Sequence, residues 1–388
     1  MKDYLNPTVC SIKPSGIRRF FDIAAEMDDV ISLGVGEPDF DTPWTIRETA
    51  IYTLEQGQTV YTANAGLKEL REAIASYSAR KYHLTYDPYH EILVTVGGSE
   101  AIDLALRAMI CPGDEVLIPE PSYVSYIPCV TLAGGKPVNV PLKSENSFKL
   151  TVADLEAKVT EKTKAVVFPF PNNPTGSIMT REDLAPVVEW IKEKDLFVIS
   201  DEIYAELSYG EQSHVSVASF PDMKERSLVI NGFSKAFSMT GWRLGYAMGP
   251  EALIRQMTKI HQFAIMCAPT TSQYAAIVAM KNCDDKVDAM RREYNRRRRY
   301  VLSRLEEMGL TCFEPLGAFY VFPDIQCTGL SSEDFCSRLL FEQKVAVVPG
   351  DAFGPDGEGF VRISYAYSME ELKAALDKMA QFIRSLDQ

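Results

Sequence analysis

Histidine is scarce in this chain, with 4 in 388 residues, and no two stand at metal-ligand spacing, so the pattern offers no metal centre. The eight cysteines (10, 111, 129, 267, 283, 312, 327 and 336) never form C-x-x-C and are scattered along the chain, which suits reduced thiols better than a disulfide framework or a zinc site. Positive charge is also short. Forty lysines and arginines face 53 aspartates and glutamates, and the net charge of -13 repels nucleic acid and anionic membrane surfaces. No apolar run is long enough to cross a bilayer, and residues 1–16 carry polar groups and two prolines where a secretory signal needs an apolar stretch. The expectation is a cytoplasmic protein with neither nucleic acid nor membrane as partner.

What is present is enough apolar residue, 46% of the chain, to bury one large core and a smaller one. Leu67, Leu70, Ile74 and Tyr77 recur at helical spacing, and the β-branched run Ile92 to Val96 follows as a strand, with a helix expected from Ser99. The alternation repeats. Lys164 to Phe168 reads as a strand, Thr180 to Glu193 as a helix opened by a Thr180/Asp183 capping pair, and Leu196 to Ser200 and Ser227 to Asn231 as further strands. Such alternation predicts an α/β fold with a mainly parallel sheet flanked by helices. Beyond Pro250 helices dominate to about Gly309, then short strands (Ala318 to Phe322, Val345 to Val348, Val361 to Tyr365) mix with helices up to Leu386, as in a smaller α+β domain. The expected division is 1–40 as a segment serving the small domain and substrate site, 41–285 as the large domain and 286–388 as the small one. A long helix through Met290, Tyr294, Val301 and Leu305 joins the two, with Arg296 to Arg299 mostly on its wet face.

Chemically capable residues gather just after the predicted strands: Gly97, Gly98 and Ser99 after one, Asn173 after the next, Asp201 and Tyr204 after a third, Ser234 and Lys235 after a fourth. Open α/β sheets bind ligands at the carboxyl ends of their strands. The Gly-Gly-Ser turn opens a helix whose amides and dipole favour an anion, although the segment matches neither G-x-G-x-x-G nor the Walker pattern, and an ordinary strand-to-helix turn would look the same.

Four segments carry a resemblance that runs nearly end to end: Ser32-Leu-Gly-Val-Gly-Glu-Pro-Asp-Phe40, Asn172-Asn-Pro-Thr-Gly176, Ser200-Asp-Glu-Ile-Tyr204 and Gly232-Phe-Ser-Lys-Ala-Phe-Ser-Met-Thr-Gly-Trp-Arg-Leu-Gly245. With them the sequence resembles the fold-type I aminotransferases dependent on pyridoxal 5'-phosphate, in the class I subgroup of aspartate and aromatic amino-acid aminotransferases. The resemblance implies that Lys235 holds the cofactor as an imine and later carries a proton between the substrate α-carbon and the cofactor. It makes Asp201 the carboxylate that keeps the pyridine nitrogen protonated, and Tyr204 and Asn173 the partners of the phenolic oxygen. Tyr123, in Pro121-Ser-Tyr-Val-Ser-Tyr126, becomes the ring that stacks on the pyridine. Ser234 and Arg243 become phosphate ligands beside Gly98, Ser99 and Glu100, the last through its backbone alone.

Arg362 lies in Val361-Arg-Ile-Ser-Tyr365, where alternation sets Val361 and Ile363 on one face and Arg362 with Ser364 on the other. It is either an outward-facing strand arginine or, as the resemblance implies, the clamp on the substrate α-carboxylate. Gly36 is then a backbone donor to the same carboxylate. Tyr61 resembles the tyrosine that reaches the phosphate of a neighbouring subunit, implying a homodimer with shared active sites. The expected substrates are an amino acid, aromatic or aspartate, and a 2-oxo acid such as 2-oxoglutarate. Ile17, Phe20, Phe263 and Phe319 are apolar candidates for the side-chain pocket, and core packing accounts for them equally well. A carbon–sulfur β-lyase on the same scaffold shares every cofactor residue, and a non-catalytic cofactor-binding regulatory domain is the alternative from another class.

Overall fold

A computed structural model describes residues 4–14, 16, 27–210 and 213–386. The strands follow in chain order as β1 (Ile31–Ser32), β2 (Ile92–Thr95), β3 (Glu115–Glu120), β4 (Lys136–Pro141), β5 (Thr163–Phe168), β6 (Phe197–Asp201), β7 (Ser227–Gly232), β8 (Gly245–Met248), β9 (Tyr320–Val321), β10 (Val345–Ala346), β11 (Val348–Pro349) and β12 (Val361–Ser364). Seven of them form one sheet in the order β2-β8-β7-β6-β5-β3-β4, parallel except for β8.

Why the strands read as continuous apolar runs is clear from where alternate residues go. Leu93, Val116, Ile118, Ala165, Val167, Ile199, Leu228 and Ile230 enter one core with the helices Gly97–Met109 and Glu251–Ala264. Their neighbours Ile92, Val94, Val229, Tyr246 and Met248 turn to the opposite face, under the helices Lys68–Tyr82 and Thr270–Asn282. Further along that second face Leu117, Val166, Phe168 and Val198 pack under the helix Arg181–Glu193. Both faces are covered, so neither needs polar residues. The helix Arg181–Glu193 opens with the expected capping box, Thr180 and Asp183 each accepting from the other's backbone N–H, an arrangement worth about 1 kcal/mol.

A separate core gathers the long helix Asp284–Glu307, the helices Ser332–Gln343 and Met369–Leu386 and the short strands β9, β10 and β12, together with Leu33 and Tyr204. The expected strand Val345 to Val348 is two: β10 pairs in parallel with β1, and β11 runs antiparallel to β12. Ala318 leaves the expected strand Ala318 to Phe322 because its φ is +57°, and its carbonyl accepts from the hydroxyls of Tyr209 (2.6 Å) and Tyr365 (3.1 Å).

The wet-face reading of Arg296 to Arg299 is corrected. Arg296 and Arg299 are exposed, but Arg297 and Arg298 are buried. Arg297 Nη1 lies 2.8 Å from both oxygens of Asp39, and Arg298 Nη1 donates to Glu314 (2.8 Å) and to the Pro315 carbonyl. The Asp39 pair pins the Ser32–Phe40 segment to the long helix, which sets the position of Gly36 three residues upstream.

Candidate active site

The carboxyl ends of β2, β5, β6 and β7 meet in one cleft of about 580 Å³. Two residues beyond β2 stands Gly97, whose φ of +77° suits glycine and whose Cβ, were there one, would lie 2.7 Å from Arg243 Nη2. Gly98 carries no such constraint, since a Cβ there would make only ordinary contact. Across the sheet Gly245 matters more: a Cβ on it would stand 2.6 Å from the Gly97 carbonyl carbon, so its absence lets β8 lie against the turn. The helix N-terminus at Gly97–Ser99, with Arg243 beside it, is a cradle for an anion.

β7 delivers Lys235, whose Nζ donates to the Gly36 carbonyl at 2.5 Å and sits 5.8 Å from the ring centres of Tyr204 and Phe319. Burial lowers the affinity of this amine for a proton to a pKa of about 8; Glu37 opposes the shift, while Arg362 and Arg243 add to it. β6 ends in Asp201, which is the last residue of the strand rather than the one after it. Its Oδ2 accepts from the Tyr126 hydroxyl at 2.8 Å and its Oδ1 from the Ile203 N–H at 3.2 Å. Burial raises the pKa of the carboxyl, and both hydrogen bonds oppose that rise. One turn on, the Tyr204 hydroxyl meets that of Tyr320 at 2.8 Å.

Arg362 is 3% exposed, and all of β12 is buried, so the strand has no wet face for it. Its guanidinium lies over the rings of Tyr320 (4.5 Å) and Phe353 (4.8 Å). Nη1 donates to Asn173 Oδ1 at 2.9 Å and Nη2 to the Gly34 carbonyl. Its Nε is buried without an acceptor among the described residues. A carboxylate entering the cleft would supply one.

Gly36, Gly98, Ser99, Tyr123 and Asn173 line this cleft, as do Asp201, Tyr204, Ser234, Lys235, Arg243 and Arg362. Tyr123 reaches Ser99 Oγ through its hydroxyl at 3.3 Å. The Glu100 side chain turns away, accepting from the Val96 N–H and pairing with the buried His261 at 2.8 Å, which leaves only its backbone for the cradle. Tyr61 stands outside the cleft, 79% exposed, and Phe263 is exposed as well. Phe319 is wholly buried behind Lys235. Ile17 and Phe20 lie outside the described residues. Sequence reasoning missed Tyr126 and Tyr320. Each stood next to a clue, Tyr126 within the quoted Pro121–Tyr126 segment and Tyr320 beside Phe319, yet nothing local reveals a hydroxyl partner 75 or 116 residues away.

One cleft at the carboxyl edge of a doubly covered sheet thus brings the buried amine of Lys235 together with the Asp201 carboxylate, the anion cradle and Arg362, as in an α/β enzyme that binds an anionic ligand there. The chain belongs to the class I and II aminotransferases, whose family model matches residues 28–379. It is 50% identical to an aspartate aminotransferase of Pyrococcus abyssi and 46% identical to aromatic-amino-acid aminotransferase 2 of Thermococcus litoralis, each over 96% of both chains. Among solved structures it superposes on the Thermus thermophilus aspartate aminotransferase with maleate at a TM-score of 0.93 and 38% identity, covering 98% of this chain and 100% of that one. The chain is thus an aminotransferase of the fold-type I architecture, in a family that depends on pyridoxal phosphate. Among the described residues no helix is long and apolar enough to cross a membrane.

Proposed function

We propose that this aminotransferase holds pyridoxal 5'-phosphate on Lys235 and moves an amino group from an aromatic amino acid or aspartate to a 2-oxo acid such as 2-oxoglutarate. The observation that carries the reading is the Lys235 amine, drawn by burial to a pKa of about 8 in a cleft that also contains Asp201 and Arg362. Bound there, the cofactor supplies an aldehyde and a ring that takes up the electron pair left on the substrate α-carbon. Asp201 holds the ring nitrogen and Tyr123 packs on the ring face. Tyr204 and Asn173 address the phenolic oxygen. The Gly98–Glu100 amides, Ser99, Ser234 and Arg243 hold the phosphate. Arg362 and the Gly36 backbone would orient the α-carboxylate, and the Lys235 amine would carry the proton at the α-carbon.

The substrate choice leans on relatives named for aspartate and for aromatic amino acids. The homodimer reading is supported by exposed apolar side chains on neighbouring segments: Trp44, Ile51, Tyr52 and Leu54 on one helix, Val60 and Tyr61 after it, and Phe263 and Met266 beyond. Hydrogen bonds from Thr270 to the Val60 carbonyl and from Asn64 to the Met266 carbonyl hold these segments together. Tyr61 would then serve the phosphate of the second subunit. The division into 41–285 and 286–388, with 1–40 joining the latter, and a cytoplasmic location belong to the same reading.

Absorption spectra of the purified protein and of Lys235→Ala test it. The parent is expected to show the cofactor's visible band, absent from the variant and bleached by aromatic amino acids or aspartate without added oxo acid. A parent that binds no cofactor, or a variant with an unchanged band, would refute the reading. Release of pyruvate from a sulfur amino acid without an oxo acid would instead mark a β-lyase.

A further inference from the structure

We infer that Tyr126 is a positioning residue that keeps Asp201 ionised toward the cofactor's ring nitrogen, and that it ties this carboxylate to the stacking ring and the anion cradle. The inference rests on the cofactor reading above. Its basis is a chain of contacts that no single motif contains. The Tyr126 hydroxyl donates to Asp201 Oδ2 at 2.8 Å, and its ring stands edge-on to Tyr123, with centres 5.7 Å apart at 83°. Tyr123 in turn reaches Ser99 Oγ at 3.3 Å, in the turn that opens the helix Gly97–Met109. One aromatic side chain, 2% exposed, therefore touches the carboxylate directly and the cradle through one intermediary.

Asp201 needs such help. It is buried next to Glu202, and both desolvation and that neighbour favour its protonated form; Lys235 and the two hydrogen bonds it accepts favour the anion. The Ile203 amide bond, at 3.2 Å, is the longer of the two. Tyr126 is suited to the task because burial holds its own phenol well above the ordinary range, so it donates without giving up its proton. Remove the hydroxyl and the carboxylate becomes the stronger base, drawing the proton from the ring nitrogen toward itself.

The test uses holoenzyme loaded with cofactor labelled with 15N in the ring. In Tyr126→Phe the ring-nitrogen resonance is expected to move toward the unprotonated position, with kcat down about tenfold and the amino-acid KM within about twofold, the scale of one hydrogen bond to a charged group. In an Asp201→Asn background the same change should move the resonance no further. Incorporating 3-fluorotyrosine at position 126 keeps the shape and strengthens the donor, so the resonance should move the opposite way even if Tyr126→Phe folds poorly. An unmoved resonance in cofactor-loaded Tyr126→Phe or in the fluorinated protein, or an equal shift in the Asp201→Asn background, overturns the inference. A parent showing no bound-cofactor resonance overturns the cofactor reading instead.

Discussion

The two ends of the cleft are built on opposite principles. At one end Asp201, Tyr204 and Arg362 are at most 7% exposed, and Lys235 sits deep enough for desolvation to dominate its ionisation. At the other, Arg243 and Gly241 are exposed, and Tyr61, outside the cleft, is open to solvent. Groups whose protonation state matters to chemistry are held dry, where a neighbouring charge or hydrogen bond has leverage. A permanently charged group that only anchors a phosphate gains little from dryness and would suffer its desolvation penalty. If that division is right, substitutions at the dry end should act on turnover and on substrate recognition. Those at the wet end should act on retention of the cofactor.

The largest effect is expected at Arg362. Its guanidinium is fully enclosed between Tyr320 and Phe353, and truncating one member of a buried, hydrogen-bonded charge pair removes about 2–5 kcal/mol. Arg362→Ala should therefore lower kcat/KM for every α-amino acid by about 10²- to 10³-fold while the cofactor's visible band stays at parent strength. Steady-state kinetics beside the spectrum checks this. A loss confined to the band, with kcat/KM intact at saturating cofactor, would break the comparison at its strongest point.

Lys235 offers a test without substrate. Its folded pKa of about 8 lies below the ordinary lysine value of 10.5, so between these limits the unfolded chain binds more protons and stability rises with pH. Below about pH 8 the cofactor-free protein bears the full penalty, up to about 3 kcal/mol for a shift of this size; above about pH 10.5 it bears none. Cofactor-free Lys235→Met should thus be more stable than the cofactor-free parent at pH 7, with the difference closing as pH rises through 8 to 10.5. Denaturant unfolding at a series of pH values measures it. A pH-independent difference would mean that the amine is better hydrated than its surroundings suggest.

Legibility followed the same divide. Residues on the sheet's carboxyl edge could be read from sequence because a strand end fixes where the next few residues point, and four such ends deliver Ser99, Asn173, Tyr204 and Lys235 to one place. Pairings across long stretches of chain could not. Arg297 was read as a solvated helix charge because its partner Asp39 is 258 residues away, and alternation alone left an outward face open to Arg362 because Phe353 and Tyr320 cover that face only after folding. Three strands of the seven-stranded sheet escaped notice for local reasons: β3 contains two glutamates and a proline, β4 is an edge strand with two prolines, and β8 is four residues beginning with glycine. The glycine in β8 answers to Gly97, a requirement visible only when the two backbones meet.

The smallest expected effect, at the wet end, is also the one that decides whether the site is shared. Tyr61 is too exposed to act within its own subunit's cleft, so if it serves a phosphate it serves that of a second copy. One hydroxyl on a partly solvated phosphate is worth roughly 1 kcal/mol, so Tyr61→Phe should weaken cofactor retention about three- to tenfold, with kcat unchanged at saturating cofactor. Hybrid dimers locate the residue. Pairing a Lys235→Ala subunit with a Tyr61→Phe subunit leaves one competent lysine, in the subunit that lacks its own Tyr61 but faces an intact one. Its cofactor retention should equal the parent's. Placing both substitutions in one subunit and pairing it with the parent reverses the outcome, because the competent site then faces phenylalanine. Parent-like retention in both hybrids would remove Tyr61 from the site, and the Tyr61→Phe defect appearing only in the first would place it in its own subunit's site.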